Sequence, residues 1–450
     1  MRKKSKKQLP LMPQPTDDYP QAVELENINR ILDANRTICD LALQDLSKHK
    51  KRKECGAHGM SAEQVVRAAI IKQMFRFTYK ELAFHIVDSQ SIRRFVRIGI
   101  GDKGFKKSAL CKNIKSLSAQ TWEAINAQLV RYAKDEGIEK GRTVRIDCTV
   151  VESNIHDPSD SRLLFDSVRV LTRLLHKAKE HFDLPISFQD HTKRAKKRMV
   201  AIENPKNGKD RKHHYADLIK VTRNTINYTR NAFEAIETAA CCGSPLIVLH
   251  NDLKHNVHLA TKVVDQTHRR VMMGEKVSAA DKIVSLFETH TDIIVKDRRD
   301  TYFGHKVCLT GGASNLITDC LIVRGNPADS TLMQQMLDRQ ETLYGKYPLK
   351  VALDGGFASK KNLKKAKGKQ VKDVCFAKKR GIEVDEMCRS SWVYNRLRRF
   401  RAGIESGISW VKRCFGLARC TWKGLGSFKS YVWASIVSAN LLTLARKQAG

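Results

Sequence analysis

Three things are scarce in this sequence, and each scarcity narrows what the chain can be. None of its 12 cysteines stands in a C-x-x-C pair, and Cys148, Cys308, Cys320 and Cys375 lie inside apolar, strand-like runs. That distribution speaks against a zinc ribbon or a dithiol motif and predicts buried, reduced thiols. The His-rich stretch LHNDLKHNVH (His250, His255, His258) has no cysteine partner at finger spacing. Long apolar runs are missing too: the longest, YVWASIVSANLLTLA from Tyr431 to Ala445, has 15 residues and carries Ser, Asn and Thr. A membrane-spanning helix needs roughly 20. The N-terminus MRKKSKKQLPLMPQP is basic but lacks the apolar stretch of a secretory signal. The expectation is a cytoplasmic protein with no membrane partner.

Acids are the third scarcity. Against 82 Lys+Arg there are 47 Asp+Glu, a net charge of +35, and from Asp354 to Gly450 the balance is 22 to 6. Such a field exceeds what solubility requires and points to a polyphosphate partner, with nucleic acid first.

What the chain does contain is enough apolar residue, 42% of 450 positions, to build two or three cored domains. Residues 1–55 read as a basic tail and one N-terminal helix, closing on the charged run SKHKKRKEC. Residues 56–140 read as short helices, with Ser61 and Thr78 as N-caps, joined by short turns in a helix-turn-helix-like, all-α arrangement. Within them Arg93, Arg94, Lys106 and Lys107, together with Arg97, Lys103, Lys112 and Lys115, crowd around turns and helix starts. The pattern suits DNA contact; a plain helical bundle is the alternative.

The texture changes at GRTVRIDCTVVESN. Thr143 to Val151 is β-branched and apolar and reads as a buried strand with Asp147 in its middle. Residues 161–285 return to a helical pattern and read as an insertion. Strands resume in DIIVKD, then YFGHKVCLT and TDCLIVRG, the last two separated by the turn-rich GGASN of a hairpin. A helix from Ser330 to about Tyr344 follows, then the strand KVAL ending on Asp354, a Lys-rich helix, the strand in VKDVCFAKK, and basic helices. This alternation predicts an α/β fold, a mixed sheet flanked by helices, assembled from residues 141–160 and 286–450.

A carboxylate in the middle of a buried strand costs several kcal/mol to desolvate without a positive neighbour, so Asp147 calls for a cation. If the strands of Asp147 and Asp354 are parallel neighbours, both acids reach one end of the sheet, where loops open into a cleft. Oxygen ligands without cysteine or histidine select a hard ion, Mg²⁺ or Mn²⁺. Two such ions assist in-line phosphoryl displacement, and a third acid is then needed. Glu405 stands alone among Arg398, Arg399, Arg401, Lys412 and Arg413. Positions 401, 405 and 412 share one helical face. Other readings pair Asp147 with Arg142 or Arg145, make Asp354 a turn acid and Glu405 an i,i+4 partner of Arg401, or take the third acid from Glu383, Asp385 and Glu386.

The segments RIDCTVVESNIHDPSDS, VKDRRDTYFGHKVCLTGGASNLITDC, GNPADSTL, VALDGGFASKKNL and SSWVYNRLRRFRAGIESGISWVKRCFGLARCTWKG resemble bacterial insertion-sequence DDE transposases of the IS4-like superfamily, closest to the ISNCY-type group. MSAEQVVRAAIIKQMFRFTYKELAFHIVDSQSIRRF resembles the N-terminal domain that many of them carry. The resemblance implies an RNase H-like core in which Asp147, Asp354 and Glu405 are the catalytic, metal-binding triad for two Mg²⁺ or Mn²⁺ ions. It also implies a Y-x2-R-x3-E-x6-K signature, of which Arg401, Glu405 and Lys412 fill the last three places. Arg398 stands where the tyrosine would be. Arg401 and Lys412 would then grip the DNA backbone. The implied activity is binding of the element's terminal inverted repeats, metal-dependent strand cleavage and strand transfer into target DNA, by a dimer or higher multimer on double-stranded DNA. A stand-alone nuclease with the same core, and a DNA-binding derivative without activity, are the rival expectations.

Overall fold

The computed structural model describes residues 19–48, 59–99, 101–205, 210–239, 245–296 and 300–449. The predicted basic tail before residue 19 and the charged run beyond residue 48 lie outside them. Helices α1 (Pro20–Ala34), α2 (Thr37–Ser47), α3 (Ala62–Met74), α4 (Tyr79–Asp88), α5 (Gln90–Phe95), α6 (Lys107–Ser116) and α7 (Ala119–Asp135) precede the first strand, β1 (Thr143–Glu152). Both predicted N-caps close capping boxes. Ser61 Oγ accepts from Gln64 N while Gln64 Oε1 accepts from Ser61 N, and Thr78 and Glu81 do the same at the start of α4. Each box satisfies two N–H groups that the first helical turn leaves without a partner.

After β1 come α8 (Asp160–His176), α9 (Thr192–Glu203), α10 (Arg211–Ala239) and α11 (Pro245–Thr267), then β2 (Asp292–Lys296), β3 (Asp300–Gly311) and β4 (Ile317–Ile322). The chain continues through α12 (Asp329–Tyr344), β5 (Lys350–Leu353), α13 (Lys360–Gly368), β6 (Asp373–Phe376), α14 (Val384–Met387), α15 (Ser391–Cys414) and α16 (Leu425–Ala449). These elements form two compact units: residues 1–151, 306–323 and 327–450, and residues 152–305 with 324–326.

The first unit holds a mixed sheet of order β4-β3-β1-β5-β6. β1, β5 and β6 run parallel, and β3 pairs antiparallel with β4. Side chains alternate across β1 as a period of two requires. Val144 and Ile146 enter one core with residues of α12, α13, β5 and β6, whereas Val151 enters a second core on the other face. That second core explains the longest apolar run. Trp433, Ile436, Val437 and Leu441 of α16 are buried among residues of α1, α3 and α7, so α16 is apolar around its whole circumference because protein surrounds it. Its polar residues are satisfied from within. Asn440 Nδ2 donates to Ile317 O at 2.7 Å and to Asn126 Oδ1 at 2.8 Å, and its Oδ1 accepts from Ile317 N at 2.9 Å. No helix among the described residues is long and apolar enough to cross a membrane.

The second unit contains α8 to α11, β2 and the first half of β3, which pair antiparallel. Its helices enclose two apolar clusters, one around Leu164, Leu171 and Leu218, the other around Leu175, Ile236 and Leu249. The basic stretch of α9 is partly consumed internally, since Arg194 and Arg198 both pair with Asp217 of α10.

Candidate active site

The register of β1 on β5 decides where two of the predicted acids go. Thr143 lies opposite Lys350 and Ile146 opposite Leu353, so the next residue on each strand is an acid, Asp147 on β1 and Asp354 at the C-terminal end of β5. Asp354 leads into a one-turn 3-10 helix, Gly355–Phe357, closed by Phe357 N donating to the Asp354 carbonyl at 3.1 Å. The third acid arrives on α15. Its N-terminal half anchors on β5 and β6 through Val393, Tyr394 and Leu397, with the Tyr394 hydroxyl donating to Phe376 O at 3.0 Å. About one and two turns beyond Leu397 come Arg401 and Glu405.

The three acids meet at one atom. Arg401 Nη2 is 2.7 Å from Glu405 Oε1, 3.1 Å from Asp354 Oδ1 and 3.7 Å from Asp147 Oδ2. Arg401 itself is mostly buried, and its Nε meets no hydrogen-bond acceptor. The predicted i,i+4 pairing of Arg401 with Glu405 is therefore present, and the same guanidinium also faces the other two acids. Arg145 does not pair with Asp147. Its guanidinium donates to Phe400 O and to Asn315 Oδ1. Glu383, Asp385 and Glu386 are exposed at α14 and take no part in the cluster around Arg401.

Burial dominates the electrostatics of Asp147, pushing its carboxyl up to about 6 from an ordinary 3.8. The Cys148 N–H, 2.8 Å from Oδ1, and Arg401 oppose that shift, while Asp354 and Glu405 add to it. Among the described residues, no group of three or more His, Cys, Asp and Glu side chains is gathered closely enough to hold a metal ion. The acids are spaced around a guanidinium nitrogen. Their chemistry nonetheless fits a hard divalent cation: all donors are carboxylate oxygens, and all face a single positive charge.

The remaining predicted residues are dispersed. Lys412 is half-buried on α15. Arg94, Lys106 and Lys107 are exposed, on α5 and at the start of α6. Arg93 donates to the carbonyls of Gly99 and Asp102, which ties down the turn after α5. Arg97, in left-handed backbone conformation at φ 60°, pairs with Asp33 and Glu63, so this member of the basic cluster is spent on joining α1, α3 and α5. Sequence reasoning missed the partners of Arg145; the one available signal was a second charge in an otherwise apolar strand, two residues from Asp147.

Residues 285–441 match a family model described as Transposase DDE domain. The matched segment includes Asp354 and Glu405, whereas Asp147 lies before it and joins them through the pairing of β1 with β5. No curated protein and no solved structure matches the chain.

Proposed function

Because residues 285–441 match a family model described as Transposase DDE domain, we propose that this chain binds the terminal inverted repeats of its own insertion sequence, cleaves their strands in a metal-dependent reaction and joins them to target DNA. One observation carries the reading: three acids separated by 207 and 51 residues in sequence (354 − 147 and 405 − 354) surround one guanidinium nitrogen. A fold made for packing alone would gain nothing by bringing three carboxylates together on the edge of a basic helix. The strand order β4-β3-β1-β5-β6, with a parallel pair carrying two of the acids, supports an RNase H-like core.

In this reading Asp147, Asp354 and Glu405 hold the divalent ions. When bound, Mg²⁺ or Mn²⁺, two ions in all, would supply Lewis-acid activation of the attacking and leaving oxygens. The protein contributes position and charge. Arg401 offsets part of the charge of the three carboxylates while no metal is bound. Arg401 and Lys412, seven residues beyond Glu405 on the same helical face, are assigned to the phosphodiester backbone. The excess of 35 positive charges draws DNA to the chain, and the exposed Arg94, Lys106 and Lys107, with Arg93, are assigned to recognition of the element ends by the N-terminal helices. Two ends must be held together for joining, so the working form is a dimer or higher multimer on DNA, in the cytoplasm.

The test is incubation of the purified protein with a labelled element end, Mg²⁺ and a target plasmid. Wild type is expected to give cleaved and joined products. Asp147→Ala, Asp354→Ala and Glu405→Ala, taken singly, are expected to bind the end and cut nothing. A Glu405→Ala protein that still cuts would overturn its assignment, and cleavage without joined product would reduce the enzyme to a nuclease.

A further inference from the structure

Arg145 is the one strong charge on the inner stretch of β1 besides Asp147, and it is 5% exposed. Burying a cation is costly; the carboxylate of Glu139 acts on this one through its charge, while the two groups that accept from the guanidinium are neutral: Nη1 donates to Phe400 O at 2.9 Å and Nη2 to Asn315 Oδ1 at 2.5 Å. The group also stacks on the Phe400 ring, with Cζ 4.6 Å from the centroid. Two glycines make room for it. A Cβ at Gly403 would lie 2.0 Å from Arg145 Nη1, and one at Gly311 would lie 3.3 Å from Nε. Asn315, the second acceptor, holds a left-handed φ of 68°.

These contacts have a direction. Arg145 and Asp147 are two residues apart on one strand, so their side chains leave the same face. Phe400 immediately precedes Arg401, and Gly403 lies between Arg401 and Glu405 on α15. The geometry points to Arg145 as a positioning residue that fixes α15 against β1, so that Glu405 meets Asp147 and Asp354 at a set separation. It acts through the Phe400 carbonyl and the absent Cβ of Gly403, and touches neither substrate nor ion. This assignment rests on the reading of the three acids as the metal site.

The experiment measures metal binding apart from catalysis, by terbium luminescence in the DNA-free full-length protein, for wild type, Asp147→Asn, Arg145→Met, Arg145→Lys, Gly403→Ala and the double variant Arg145→Met/Gly403→Ala. Thermal melts report folding and gel shifts report DNA binding. Arg145→Met and Gly403→Ala are each expected to weaken terbium binding by roughly 10- to 100-fold, as loss of a residue supporting metal ligands does, with DNA affinity unchanged. Arg145→Lys, which keeps the charge and loses the two-pronged donor, is expected to fall between them and wild type. In the double variant the methionine leaves space for the new Cβ, so adding Gly403→Ala to Arg145→Met is expected to cost less than adding it to wild type. Wild-type metal affinity in a folded Arg145→Met or Gly403→Ala protein would overturn the inference, as would losses that merely track a lowered melting temperature. Terbium binding that is indifferent to Asp147→Asn would instead overturn the metal-site reading beneath it.

Discussion

At the scale of single residues, Asp147 is the group whose titration is tied to the site. Its folded carboxyl protonates near 6 and an unfolded one near 3.8, so ionisation is resisted in the fold. The stability associated with the protonated form is complete below about pH 4 and is lost as pH rises through 6. Above that the ionised side chain costs about 3 kcal/mol in the metal-free protein. Asp147→Asn is therefore expected to raise the melting temperature at pH 8, with the gain shrinking toward pH 4, as calorimetry in EDTA would record. If Asp147 is a metal ligand as proposed, the same shift makes metal compete with a proton, and half-saturating metal is expected to climb as pH falls below about 6. Arg401 has the opposite character. Removing it in Arg401→Ala leaves Asp354 and Glu405 without the cation that lies 3.1 and 2.7 Å from them. The variant is expected to melt lower than wild type without metal, and Mg²⁺ is expected to raise its melting temperature by more than it raises that of wild type.

At the scale of elements, α16 shows how an apolar helix keeps a fixed register among its neighbours. Leu and Ile side chains would tolerate a slide along α7, but Asn440 joins α16 to the amide of Asn126 on α7 and to both backbone groups of Ile317 on β4. Asn440 and Asn126 are 2% and 1% exposed, so truncation leaves buried polar groups with no water to replace the lost partner. Asn440→Ala is expected to cost about 2–4 kcal/mol, read as a lower midpoint in urea with an unchanged slope. The same residue types, Ser, Asn and Thr, are what marked this run as unsuited to lipid in the sequence, and the structure gives Asn440 its role in register.

At the scale of the whole molecule, the N-terminal helices are not a detachable attachment within their unit. Residues of α1, α3 and α7 share one core with α16. Deleting residues 1–117 is therefore expected to expose the apolar surface of α16 and give insoluble or unfolded protein by circular dichroism, where a separately folded module would leave a soluble remainder. Charge acts at this scale too. Binding to DNA is expected to weaken linearly in a plot of log affinity against log salt. If Lys106 and Lys107 contact phosphate, replacing each by Ala lowers the slope by about one. An unchanged slope in both would assign them to solvated surface.

Much of this was legible beforehand because the signals are local. The strand periods, the capping residues Ser61 and Thr78, the hairpin turn at GGASN and the basic surplus depend on neighbours within a few positions. The sequence offered Asp147 within one apolar run and Asp354 at the end of another, and their placement side by side held only on the condition of parallel neighbours, which the register of β1 on β5 meets. What lay beyond reach were contacts whose partners are hundreds of residues apart. Arg145, one of two arginines the sequence offers as a partner for Asp147, turns instead to Phe400, 255 positions away. Arg97 counted as one of a basic cluster until Asp33 and Glu63 claimed it. The sequence by itself determined which elements form and which acids are isolated in basic or apolar surroundings, because backbone preference and side-chain period are set over a few residues. Only the tertiary structure decided which cation each acid meets, because charge pairing depends on distances that the chain acquires once its sheet and helices have packed.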